Sequence, residues 1–125
     1  MWREPEIVFR YLPYSLCHRV FFDLNRSDLL EVIGFSDHPV IPLGGPGEFD
    51  QFGTMPGDLV KVGNKIFMYY TGWNRLQGVP YNFSVGLATS DDNCMTFVKY
   101  SKGPIIGQSI INPFTCGSGA TIQDE

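Results

Sequence analysis

The sequence predicts an all-β domain of short antiparallel strands, and three observations carry that prediction. Aromatic residues make up 14% of the 125 residues, with ten Phe and six Tyr. Turn formers are dense, with 14 Gly and 9 Pro scattered along the chain. Several stretches alternate apolar and polar side chains with the period of two expected for strands, and none sustains a long helical period. Hydrophobic residues at 43% against 18% charged fit one packed domain rather than a disordered chain.

Taken in order, HRVFFDL (18–24) alternates and is rich in β-formers, which predicts a strand. RSDLLEVIGF (26–35) suits either a short helix capped by Ser27 or a strand, and its β-rich surroundings favour the strand. Residues 36–53 form a long loop dense in Gly and Pro, and a loop of that length is usually functional or specifically packed. MPGDLVKV (55–62) and KIFMYYTGW (65–73) read as strands joined at Gly63-Asn64. NRLQGVPYN (74–82) reads as a loop, FSVGLATS (83–90) as a strand, and DDNC (91–94) as a turn into a strand MTFVKY (95–100).

The totals also exclude whole classes of function. The net charge is −4, and the nine basic residues form no run, so a phosphate-tracking surface and a nucleic-acid partner are not expected. No apolar stretch approaches the roughly 18 residues of a membrane span, so no membrane partner is expected either. The opening MWREPEIVFR is charged where a secretory signal needs an apolar core. Cys17, Cys94 and Cys116 form no close pair, which suits free thiols in a reducing compartment, so the expected location is cytoplasmic. No metal-ligand spacing and no phosphate-binding glycine loop appears, so neither a metal nor a cofactor is expected. Asp91-Asp92-Asn93 lacks the remaining ligands of a calcium loop and suits a turn.

A weak internal repeat adds a spacing. SDHPVI at 36–41 and SKGPII at 101–106 share Ser-x-x-Pro-aliphatic-Ile, and Phe49 and Phe114 keep the same offset of 65 residues. That period fits a four-stranded propeller blade with a long leading loop.

The order of pieces from Pro39 to Ile106 then resembles a blade of the five-bladed β-propeller glycosidase superfamily, whose members act on arabinosides, fructosides and mannosides. The pieces are Pro39-Val40-Ile41, Phe49-Asp50, Met55-Pro56, Val62-Gly63-Asn64, Phe67-Met68-Tyr69-Tyr70-Thr71-Gly72-Trp73, Val85-Gly86-Leu87-Ala88-Thr89-Ser90, Asp91-Asp92 and Gly103-Pro104-Ile105-Ile106. The resemblance implies a partial, half-size propeller of antiparallel four-stranded blades. Residues 1–35 would be the remnant of a preceding blade, 36–106 one near-complete blade, and 107–125 the start of a following one. It also implies that Ile66, Met68, Tyr70, Val85 and Leu87 pack between blades. A five-bladed domain needs well over twice this length, and an open stack of blades would expose an apolar sheet face. Self-association, most simply as a homodimer, is the expected remedy.

The same resemblance implies an axial pocket ringed by acids from several blades. Glycoside hydrolysis needs two carboxyl groups flanking the scissile bond. Asp50 is the first candidate for such an acid, with Asp58 and Glu48 behind it, although an Asp in such a loop equally suits capping of nearby backbone N–H groups. Trp73, Arg75, Tyr81 and Asn82 are candidates for a sugar subsite, through aromatic stacking and hydrogen bonds to hydroxyls. Trp73 and Tyr81 equally suit packing at an inter-blade or subunit contact. Two functions stay open: glycoside hydrolysis or glycan processing in an assembled pocket, and non-catalytic carbohydrate binding or self-assembly.

Overall fold

A computed structural model describes residues 22–25, 28–35, 38–114 and 116–117, the first two strands through their backbone. Six strands are present among the described residues: β1 Phe22–Asn25, β2 Asp28–Phe35, β3 Gly53–Val62, β4 Lys65–Leu76, β5 Val79–Ser90 and β6 Val98–Lys99. Strands β1 and β2 form an antiparallel pair, and β3-β4-β5-β6 form a four-stranded antiparallel sheet in sequence order. The all-β expectation holds among the described residues, and the ambiguous stretch 26–35 supplies a strand from Asp28. Of the strand expected over 18–24, residues 18–21 lie outside the described residues, as do 1–17 and 118–125.

Each strand of the meander follows from local chemistry. Gly63-Asn64 turns β3 into β4, with Gly63 at φ 61°. Pro56 lacks a donor for the ladder and sits where β3, an edge strand, shifts register between Pro56 and Leu59. The Ile66-Phe67-Met68-Tyr69-Tyr70 run alternates sides: Ile66, Met68 and Tyr70 are buried, whereas Phe67 and Tyr69 are half-buried.

Two expectations about extent are corrected. The loop expected over 74–82 is a strand pair: Asn74 opposes Asn82 and Leu76 opposes Val79, leaving Gln77-Gly78 as the turn. Gly78, at φ 81°, supplies the left-handed conformation that a tight turn requires. Pro80 is tolerated because β6 pairs only with Ala88 and Thr89, so the start of β5 has a single neighbour. The strand expected over 95–100 shrinks to Val98–Lys99. Asp92 competes for its beginning, accepting hydrogen bonds from Thr96 N at 2.9 Å and Thr96 Oγ1 at 2.5 Å.

The core lies on one side of the meander. Ile66, Met68, Tyr70 and Ala88 pack under Val40, Ile41, Cys94 and Phe97, with Phe49 and Leu59 at the margin. The loop from 38 to 52 therefore closes over the sheet as a lid of core residues. Two glycines let it approach. A Cβ on Gly72 would come within 2.5 Å of both Asp50 Cβ and Phe49 Cε2, and one on Gly86 within 2.6 Å of Phe49 Cζ. The Thr-Gly and Val-Gly-Leu-Ala steps are thus the seat of the Phe49-Asp50 step. Val85 and Leu87 belong to the other side of the sheet, so the five residues expected to pack between blades divide between its two faces. On that second face Phe67, Tyr69, Trp73, Phe83 and Leu87 are half-buried.

Gly86→Val should lower the unfolding free energy by about 1–3 kcal/mol, because the added side chain must displace Phe49 and Tyr70. Urea denaturation checks this, and an unchanged midpoint would show that the loop does not rest on that glycine.

Candidate functional site

Asp50 is the centre of a buried polar cluster. It is fully buried, at 0% exposure, although it is a carboxylate in a loop. Lys99 Nζ lies 2.6 Å from Asp50 Oδ2, and Tyr70 donates its hydroxyl proton to the same oxygen at 3.0 Å. The Lys99 side chain is itself only 14% exposed. β6 delivers the lysine by alternation: Lys99 opposes Ala88 on the core side, while Val98 opposes Thr89 and is exposed. Oδ1 of Asp50 has no hydrogen-bond partner among the described residues. Burial, followed by the Asp50 charge, pushes the Tyr70 phenol far above its ordinary value, so Tyr70 stays a donor.

Glu48 stands beside this cluster. A Cβ on Gly44 would collide with Asp50 Oδ1 and also touch Glu48 Oε2, so the two carboxylates turn to the same side of Gly44. Glu48 Oε1 lies 3.8 Å from Lys102 Nζ, and the Glu48 carbonyl accepts a hydrogen bond from Asn74 Nδ2 at 3.1 Å. Each acid of the pair is therefore matched by a lysine, the inner pair dry and the outer pair wet. Asp58 lies in the β3 bulge, half-buried, and does not line the cleft described next.

A cleft of about 300 Å³ opens beside the Asp50 lid. Phe49, Leu76 and Pro104 give it apolar walls, and Asn82, Ser84 and Gln108 supply polar groups. Gln108 Nε2 donates to Phe114 O at 2.8 Å and reaches Asn82 Oδ1 at 3.5 Å, fixing both amides at the rim. The 101–107 segment closes the far side by pairing Val85 with Ile106.

The four candidate sugar-binding residues divide between the two sides of the β4–β5 pair. Asn82 lines the cleft. Trp73, Arg75 and Tyr81 belong to the opposite face: Phe52 and Trp73 rings are 6.2 Å apart, the Arg75 guanidinium lies 4.9 Å from the Phe52 ring, and Tyr81 stacks on Phe83 at 5.2 Å. Sequence reasoning missed Lys99, Lys102, Ser84 and Gln108. Lys99 had a readable signal, since a lysine two residues after Phe97 shares its inward side in a β-alternation.

The DDNC segment is occupied by its own turn. Asp92 accepts from Ser90 Oγ at 2.7 Å as well as from Thr96. Burial alone would push the Asp92 carboxyl up, but these hydrogen bonds together hold it below the usual carboxylate range. No group of three or more His, Cys, Asp or Glu residues suited to a metal occurs among the described residues. Cys94 and Cys116 form no disulfide with each other, and Cys17 lies outside the described residues. No helix among the described residues is long and apolar enough to cross a membrane.

Two uncharacterized proteins of Mycobacterium tuberculosis are similar to this chain: MT1551 of strain CDC 1551 / Oshkosh and Rv1502 of strain ATCC 25618 / H37Rv. Each is 30% identical over 94 residues, covering 75% of this chain and 31% of the relative. The chain thus spans about a third of the length of the curated relatives it matches. No family model matches the chain, and no solved structure matches it.

Two measurements test the cluster. Lys99→Met should cost about 3–5 kcal/mol in urea unfolding, because it strands a buried carboxylate; a cost like that of an exposed lysine would show the pair to be solvated. Tyr70 contributes through a phenol whose proton the fold retains. That contribution is complete below the ordinary phenol value of 10.0 and is lost as pH rises above it. The stability difference between wild type and Tyr70→Phe should therefore shrink on the alkaline side, and a constant difference would contradict the assignment.

Proposed function

We propose that this chain forms one blade, with parts of its neighbours, of a glycosidase-like β-propeller, and that its cleft binds carbohydrate. The four-stranded meander in sequence order supports the blade reading, since that is the connectivity of a propeller blade. The half-buried aromatic face of the sheet is the surface that a further blade would cover, from a longer chain or from a second copy in a homodimer.

The cleft lining carries the binding reading. Asn82, Ser84 and Gln108 offer neutral donors and acceptors suited to hydroxyls, set against the apolar edges of Phe49 and Pro104. Asn82 accepts through Oδ1, which leaves its amide N–H groups for a ligand. Hydrolysis is the second reading, favoured by the turn of Asp50 and Glu48 toward the same side of Gly44. It ranks second because Asp50 is wholly buried under Lys99 and Tyr70, where no sugar reaches it without the lid opening. In that reading Glu48, at the wet end, meets substrate.

A titration of the full chain with mono- and disaccharides, followed by amide NMR shifts, tests the binding. Perturbations should centre on Asn82, Ser84 and Gln108, and Asn82→Ala combined with Gln108→Ala should weaken binding about tenfold or more. Absence of shifts at millimolar sugar would overturn the reading. Hydrolysis of aryl-glycosides that disappears in both Asp50→Asn and Glu48→Gln would raise the second reading above the first.

A further inference from the structure

The cleft has a charge character of its own. Among its described lining residues Lys102 alone is charged; the polar remainder are amides and the Ser84 hydroxyl. No carboxylate is among the described lining residues, although the chain as a whole carries a net charge of −4. Lys102 is 91% exposed and 3.8 Å from Glu48 Oε1, a loose pair at the rim that holds the ammonium weakly. The long arm can turn from Glu48 to a ligand without leaving a buried charge behind.

Ser84 adds a hydroxyl to the cavity wall. The residue is 5% exposed and lines the cavity. Its hydroxyl can both donate to and accept from a ligand hydroxyl that enters the cleft. Gly107 leaves the space open, since a Cβ there would stand 3.7 Å from Ser84 Oγ.

We infer that the cleft is selective for a sugar carrying a single carboxylate, a hexuronate, held at its carboxylate by Lys102 and at its hydroxyls by Ser84, Asn82 and Gln108. The inference rests on the sugar-binding reading of the same cleft. One flexible ammonium suits a monoanion. A phosphate dianion is usually held by several donors, such as an arginine fork or a helix N-terminus, and the described lining offers neither. The volume of about 300 Å³ lies at the small end of ligand pockets, which fits one or two sugar rings rather than a long glycan.

The test is a calorimetric titration of the full chain at low ionic strength with glucuronate and galacturonate, against glucose, galactose and glucose 6-phosphate. At least one uronate should bind about tenfold more tightly than its neutral counterpart. Lys102→Gln should bring it down to the neutral level, and raised salt should narrow the same gap. Lys102 is exposed, so an unchanged unfolding midpoint in the variant separates this effect from misfolding. Uronates and neutral sugars binding equally would overturn the inference and leave the sugar-binding reading standing. Tighter binding of glucose 6-phosphate than of either uronate would overturn the monoanion assignment. Binding of none of these sugars would remove both.

Discussion

A buried carboxylate meeting a nearly buried ammonium fixes how the long loop closes over the sheet. Asp50 belongs to the long loop, Lys99 to the last short strand, and Tyr70 to the central strand β4. Their meeting point therefore ties three distant parts of the chain over one sheet face. Neither charge could be left dry alone, because the desolvation of an unpaired ion exceeds what packing of a small domain supplies. The pair specifies which way the loop closes, and the apolar contacts of Val40, Ile41 and Phe97 supply most of the favourable burial.

The cleft proposed to bind carbohydrate lies beside that tie rather than within it. The outer pair of Glu48 and Lys102 stays wet, while the inner pair of Asp50 and Lys99 stays dry. The cleft lies next to the lid and borrows Phe49 from it as a wall, so the position of Asp50 sets the shape of the cavity. The carboxylate most expected to do chemistry thus has a positional role in the described fold, and the residues facing the opening are neutral amides, a hydroxyl and one lysine.

Much of the sheet was legible from local pattern. The alternation in Ile66 to Tyr70, the Gly63-Asn64 turn and the density of Pro and Gly from 36 to 53 all describe what the chain forms. The long β4–β5 pair was masked by Gly78 and Pro80, which read as loop punctuation. Pro80 is compatible with a strand because no described strand pairs with its second side, a fact of sheet topology rather than of composition. The site was less legible for a related reason. Asp50 was visible as an acid in a functional-looking loop, but its partners are remote in sequence and become neighbours only through the register that opposes Lys99 to Ala88. The separation of Asn82 from Trp73, Arg75 and Tyr81 likewise depends on the strand pairing that replaced the expected loop.

A double-mutant cycle between Asp50 and Lys99 tests the central tie most directly. Asp50→Asn, Lys99→Met and the combined variant would be compared with wild type in urea unfolding. The expected coupling is about 2–3 kcal/mol, with the combined variant more stable than the sum of the single losses implies. Additive losses, with no coupling between the two positions, would show that the loop is held by its apolar contacts alone and that Asp50 is available for another task.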